Sequence, residues 1–334
     1  MKNSNTKLLN DFEDKYLQGN KRKLIRYLLI GGISLTIVVV VVVVAVIISK
    51  NNNEPAQNPD QESNYGQNEE EEEEYKEEQK EEETTPIEPT SQCPEIKEIS
   101  GGVKGSGFAS RYWDCCKPSC SWTDNAGSGN EAKQCDKNMN PITDLMASSI
   151  CDGGVSTTCL SQIPFTINGC DNIGFAFGAV PGTSPMCGRC FLLEFTGIGK
   201  YEARKNHALL KGKKLIVMAS NIGYDVQNNQ FDIMIPGGGV GAFNGCDEIL
   251  GKNLGQQYGG LLSNCENEVG YGYDADTLYT KRKECLTNKC NTIFAKNANA
   301  KKGCLFLSDY MEAAGNPMHT FKEIECPKIL KDKY

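Results

Sequence analysis

Two carboxylates have the surroundings that acid and base chemistry requires. Phe231-Asp232-Ile233-Met234-Ile235 alternates like a strand and puts Asp232 on one face with Gln230 and Met234, an acid among apolar neighbours. Partial desolvation of that kind raises a carboxyl pKa and makes the group a proton donor. Asp114 is followed at once by Cys115 and Cys116. Two crosslinks there would hold its backbone rigid, which is what a general base aimed at one water requires. For Asp232 the purely structural alternative is an aspartate satisfied by backbone donors or by an arginine.

Other chemistries are thinned by what surrounds their residues. The two histidines, His207 and His319, stand near no Gly-x-Ser-x-Gly elbow, which argues against a serine triad. Cys187-Gly-Arg-Cys190 has the spacing of a redox or metal pair, but among 16 cysteines structural disulfides are the better reading. Gly237 to Ala242 (GGGVGA) formally fits a nucleotide loop. Pro236 before it and the missing βαβ context favour instead a flexible loop that lets backbone approach a neighbour or ligand. No metal and no cofactor are expected.

These groups must be held by something, and the chain divides into three segments. Residues 1–50 carry 8 basic and 3 acidic side chains, residues 51–92 carry 2 and 15, and residues 93–334 carry 25 of each together with all the cysteines. A neutral, cysteine-rich domain argues against nucleic-acid binding and against a reducing compartment. The uncharged run 27–48 is long enough to span a bilayer and too long for a cleaved signal peptide. Lys21, Arg22, Lys23 and Arg26 precede it, so residues 1–26 read as a cytosolic tail and 27–48 as the anchor of a single-pass type II membrane protein, contacting membrane through those residues. Residues 49–92 read as an acidic disordered linker, whose glutamates lack the fixed geometry of a cation site. Residues 93–334 read as one globular, monomeric domain, outside the cell or in a lumen and releasable by proteolysis.

Within that domain the short apolar runs Ile173–Val180, Phe191–Phe195, Leu215–Met218, Phe231–Ile235 and Cys304–Leu307 have strand lengths and turn-forming neighbours. Only Ser308–Ala314, with Ser308 as N-cap, and Pro141–Ser149 have a helical look. The expectation is a mainly β, disulfide-stapled domain closed as a barrel, because many short strands must close or sandwich to avoid bare edges.

At this point longer motifs can be compared with known ones. Ala109-Ser110-Arg111-Tyr112-Trp113-Asp114-Cys115-Cys116-Lys117-Pro118-Ser119-Cys120-Ser121-Trp122 resembles the signature of the glycoside hydrolase family 45 endoglucanases. Phe231-Asp-Ile-Met-Ile-Pro-Gly-Gly-Gly-Val-Gly-Ala-Phe-Asn-Gly-Cys246 is similar to the segment bearing that family's second catalytic acid. The resemblance runs from about Gly107 to Pro327, leaving out the anchor, the linker and Lys281 to Lys301. It implies a six-stranded double-psi β-barrel with an open groove that hydrolyses internal bonds of cellulose or another β-1,4-glucan with inversion. By position it makes Asp114 the general base and Asp232 the general acid, maps Asp225 onto a loop carboxylate near the acid, and sets Tyr112 and Trp122 along the sugar groove. Trp113 reads as core.

Gln230 departs from the resemblance, standing where the family and the related expansins have a histidine; Gly188 replaces a family cysteine. The resemblance implies the bridges Cys115–Cys246, Cys116–Cys151, Cys120–Cys187, Cys135–Cys159, Cys190–Cys326 and Cys265–Cys304. Cys285–Cys290 and Cys93–Cys170 remain as guesses for the rest. The rival reading is a nonlytic, expansin-like wall-loosening protein, which shares barrel and acid but lacks the base; Asp114 in its intact motif separates the two. A third is a tethered carbohydrate-binding or adhesion module, which would bind without releasing reducing ends.

Overall fold

The computed structural model describes residues 93–182 and 185–334. The tail, anchor and linker expected over residues 1–92 lie outside the described residues. Among the described residues no helix is long and apolar enough to cross a membrane.

Nine strands carry the described architecture: β1 (Lys104–Tyr112), β2 (Gln134–Cys135), β3 (Thr157–Thr158), β4 (Phe165–Thr166), β5 (Ile173–Pro181), β6 (Cys190–Gly199), β7 (Lys214–Gly223), β8 (Gln230–Met234) and β9 (Pro317–Ile324). Seven form one sheet in the order β4, β5, β7, β6, β9, β1, β8, and β8 returns to pair with β5. Six strands therefore make an unbroken hydrogen-bonded circuit, which removes the edges that short strands would otherwise expose. The β1–β8 and β5–β7 pairs are parallel; the remaining neighbours in the circuit are antiparallel.

Four of the five apolar runs fall in β5, β6, β7 and β8, as expected from their lengths. Residues 174–180 of β5 are buried without interruption because the strand is covered on both faces. A helix, Ala298–Asp309, lies directly over it: a Cβ at Gly174 would come within 2.7 Å of the Tyr310 ring and 2.8 Å of the Phe306 ring. Strands β1 and β9 went unnoticed in the sequence, being polar and glycine-containing at one end or charged along their length.

The fifth run is a correction. Cys304–Leu307 is helical, part of Ala298–Asp309, whose buried residues Ala300, Gly303, Cys304 and Leu307 repeat at helical spacing. Ser308 lies in the last turn of that helix rather than capping a new one, and its hydroxyl donates to the Leu305 carbonyl. Pro141–Ser149 forms turns, with no helix. Two further helices, Gly260–Val269 and Ala275–Ile293, were not foreseen. The signal for the second was present: Asp274 caps it by accepting from the amides of Asp276 and Thr277, and Leu278, Arg282, Leu286 and Cys290 recur every fourth residue on its buried side.

These helices also correct the crosslinks. All 16 cysteines are paired, and the six bridges other than those of the helical region are as anticipated: Cys93–Cys170, Cys115–Cys246, Cys116–Cys151, Cys120–Cys187, Cys135–Cys159 and Cys190–Cys326. The remaining pairs are Cys265–Cys285 and Cys290–Cys304, replacing the expected Cys265–Cys304 and Cys285–Cys290. Five residues along an α-helix separate Cys285 and Cys290 by about 7.5 Å of rise and about 140° of rotation, too far and too divergent to bridge. Each instead reaches the helix on its own side.

At the heart of the circuit the fully buried His319 packs edge-on against Phe231 and Phe321. Burial drives its pKa from 6.5 down to about 4. The unfolded chain therefore binds the proton more readily between those values, so this group withdraws stability as pH falls from 6.5 to 4, by about 3 kcal/mol in total. His319→Leu should remove that dependence. Urea unfolding at pH 4 and pH 7 measures it: the wild type should lose about 3 kcal/mol relative to the variant on going to the lower pH, and an unchanged difference refutes the assignment.

Candidate active site

Strand β8 delivers the acid. Phe231 and Ile233 point into the core, so the alternation turns Gln230 and Asp232 toward a surface groove. The parallel register sets Ser110 of β1 opposite Asp232, and the Ser110 hydroxyl donates to Asp232 Oδ1 at 2.6 Å. Gln230 Nε2 donates to Ser110 Oγ at 2.6 Å, and Gln230 Oε1 accepts from the Gln227 amide at 2.9 Å. Desolvation raises Asp232 to about 7, with Asp225 and Asp114 pushing the same way and Ser110 and Arg111 opposing. The Arg111 guanidinium is itself spoken for, donating from Nη2 to the Gly259 carbonyl at 2.8 Å and to Ser263 Oγ at 3.2 Å.

Asp114 sits just beyond the end of β1. Its carbonyl accepts from the Gly245 amide at 2.8 Å, and its Oδ1 accepts from the Cys116 amide at 3.0 Å. Cys115, next in the chain, adopts a left-handed φ of 61°, a conformation that costs a side-chain-bearing residue about 1–2 kcal/mol. The bridges to Cys246 and Cys151 hold the two cysteines in that turn. Desolvation raises Asp114 to about 6 against the pull of its backbone hydrogen bonds, with Asp225 adding to the rise.

Both carboxylates line one groove of about 770 Å³, and so do Tyr112, Trp122 and Asp225. Asp225 is exposed on the loop between β7 and β8. Tyr112 is held by Asn221, whose Nδ2 donates to its hydroxyl at 2.9 Å while its Oδ1 accepts from the Ser119 amide at 2.8 Å. Burial raises the Tyr112 pKa well above its usual value, with Asp114 and Asp232 adding to the rise, so the ring stays neutral. Trp122 is backed by Lys117, whose ammonium stands 3.2 Å from the ring centre and donates to the carbonyls of Leu145 and Ala147. Trp113 is buried, in keeping with its core assignment.

Gly239 to Ala242 line the groove, and the Gly239 carbonyl accepts from the Trp113 amide, so the glycine loop serves close backbone approach. Cys187 and Cys190 bond to different partners and His207 is buried against the Gly315 carbonyl. The residues that sequence reasoning missed are Ser110, Asn221, Lys117 and the exposed rim aromatics Tyr201, Tyr224, Phe243 and Tyr258. Ser110 lay inside the first motif, but only the strand register reveals its partner.

The family model of glycosyl hydrolase family 45 matches residues 106–278, a span that contains every one of the groove's carboxylates named above. The chain belongs to glycosyl hydrolase family 45. Within the family it is 39% identical over 243 residues to Endoglucanase B of Cellvibrio japonicus, covering 70% of this chain and 46% of that protein. It is 35% identical over 244 residues to an endoglucanase of Cryptopygus antarcticus, covering 71% of this chain and 92% of that one. The crystal structure of a cellulase from the same Antarctic springtail superposes with a TM-score of 0.53 at 34% identity, covering 69% of this chain and 96% of that chain. The chain spans about half the length of Endoglucanase B and of the putative endoglucanase type K of Fusarium oxysporum. The helices Ala275–Ile293 and Ala298–Asp309 lie almost wholly beyond the family match.

The raised carboxyls of this family 45 groove carry a stability cost with a definite sign. Each binds a proton in the folded state at a pH where the unfolded chain has released it, so each favours folding below pH 3.8 and loses that contribution as pH rises through about 6 for Asp114 and about 7 for Asp232. Asp114→Asn and Asp232→Asn should therefore each stabilise the protein at pH 8, by up to about 3 kcal/mol and about 4 kcal/mol respectively. The gain should fade toward pH 4; thermal melts at both pH values would refute the argument if the gain were equal at the two.

Proposed function

We propose that the protein is an endo-β-1,4-glucanase that hydrolyses internal bonds of cellulose or a related β-glucan with inversion. The observation that carries this reading is that Asp114 and Asp232, each fixed by hydrogen bonds and each raised by burial, line one groove. Burial raises Asp232, to about 7, further than Asp114, to about 6, the direction that suits Asp232 as the general acid and Asp114 as the general base. Asp114 would draw the proton from a water while Asp232 protonates the departing glycosidic oxygen on the other side of the ring. The exposed Asp225 stands near enough to both carboxyls to raise each. Tyr112 and Trp122, each fixed from behind, offer flat apolar faces to the pyranose rings.

We read the closed strand circuit as the six-stranded double-psi barrel of the family. The nonlytic alternative is disfavoured by Asp114, since a merely loosening protein has no use for a desolvated carboxyl set before a strained turn that two disulfides hold. For the remainder of the chain we propose a cytosolic tail, an anchor at residues 27–48 and an acidic linker over 49–92, holding a monomeric catalytic domain outside the cell or in a lumen.

Asp114→Asn and Asp232→Asn should each lower kcat by about 10²- to 10⁴-fold on amorphous cellulose while remaining folded. Wild-type kcat/KM should be bell-shaped, rising through about pH 6 and falling through about pH 7. NMR of fresh digests should reveal the α-anomer first. Near-normal activity in either variant removes that residue from its role, and a β-anomer first excludes water activation by Asp114.

The tethered arrangement has its own test: protease added to intact cells should cut within residues 49–92 and free an active fragment holding all the cysteines. A C-terminal part found in the cytosol with free thiols would end that reading.

A further inference from the structure

The groove's rim does not end at the groove. Tyr201, on the turn after β6, lines the groove and is 74% exposed. Its neighbour Lys200 fixes the turn, with its ammonium 3.6 Å from the centre of the Phe108 ring and donating to Gln227 Oε1 at 2.9 Å. The next residue, Glu202, pairs with Arg204 at 2.5 Å and with the buried Arg282 of helix Ala275–Ile293 at 3.6 Å. Both guanidiniums stack on Tyr271, at 5.0 Å and 4.7 Å from the ring centre. Arg282 is held further by donating from Nη2 to the Gly270 carbonyl at 3.1 Å. Tyr273, two residues on, has the Lys281 ammonium 5.0 Å from its ring centre.

Tyr271 and Tyr273 are nonetheless 62% and 47% exposed. A large aromatic ring left in water is ordinarily disfavoured, and one oriented by two stacked arginines while open to solvent is poised for a ligand with a flat apolar face. Glu202, the residue after Tyr201, binds the two arginines that stack on Tyr271, and Tyr273 follows two residues later, so this surface continues from the groove mouth to the turn between two helices.

We propose that Tyr201, Tyr271 and Tyr273 form a second binding surface for β-1,4-glucan, continuous with the groove but lying outside the site of cleavage. The proposal rests on the glucanase reading above. A β-1,4-linked glucose chain has equatorial hydroxyls and axial C–H faces, so it presents the rigid, flat, uncharged surface that a row of open tyrosines matches. The surface would hold a strand of insoluble polymer beside the groove and raise its local concentration there. The arginines act as orienting supports for Tyr271 and take no part in the reaction.

The test uses the full-length chain in detergent. In an Asp232→Asn background, Tyr271→Ala/Tyr273→Ala should weaken retention on amorphous cellulose about tenfold, whereas Tyr271→Phe/Tyr273→Phe should keep it. In the active background the alanine pair should leave kcat/KM on a short soluble cello-oligosaccharide unchanged and lower the rate on insoluble cellulose. Unchanged retention by the alanine pair, in a chain that does release reducing ends, overturns the surface alone. An equal loss on soluble and insoluble substrates overturns it as well, since the rings would then be supporting the fold. A full-length chain that neither cuts nor binds any β-glucan overturns both this inference and the glucanase reading.

Discussion

The parallel pairing of β1 with β8 is the constraint on which the site depends. It joins segments more than a hundred residues apart, sets Ser110 against Asp232, and leaves β1 to continue straight into the turn that bears Asp114. Just past the paired strands the Cys115–Cys246 bridge closes the same two segments covalently. A one-residue slip in that register would turn Asp232 into the core and Phe231 into the groove, exchanging a groove carboxyl for a buried charge. The crosslink ties the ends of the two segments together, and it also holds the left-handed turn at Cys115.

The second governing effect is desolvation, which acts in opposite directions on the two kinds of titratable group. It raises Asp114 and Asp232 in the groove and lowers His319 in the core. Ser110 and Arg111 limit how far the shift goes at Asp232. An amide at Gln230 donates to Ser110 without titrating, so the hydrogen bond that reaches Asp232 keeps its sense across the working pH range. A histidine in that position would change charge near the same pH.

The helical region beside β5 shows a different economy. Its helices expose lysines and tyrosines and bury narrow faces, and each is tied to a neighbour by a disulfide of short sequence separation, 20 residues in one case and 14 in the other. Local crosslinks of this kind stabilise an addition without disturbing the strand circuit, whose own bridges span up to 136 residues. The same addition supplies Arg282 to the surface on which Tyr271 rests.

Local pattern alone determined a good part of this protein. The lengths of the apolar runs foretold β5 to β8, the two long motifs named both carboxylates and the residues flanking them, and the even count of cysteines pointed to full pairing. Helix Ala275–Ile293 left a signal too, its Asp274 cap and a buried position at every fourth residue, but the polar residues between those positions, and Arg282 among them, masked it. The rest required the folded chain. Which strand lies beside which sets Ser110 on Asp232, and which helix faces which separates Cys285 from Cys290. The raised pKa values of the two acids follow from the atoms packed around them, and the joining of the Tyr201 turn to helix Ala275–Ile293 follows from the Glu202–Arg282 ion pair. Sequence periodicity reports which side of an element is apolar; it carries no record of what that side will touch, and desolvation, register and long-range pairing are all properties of the contact.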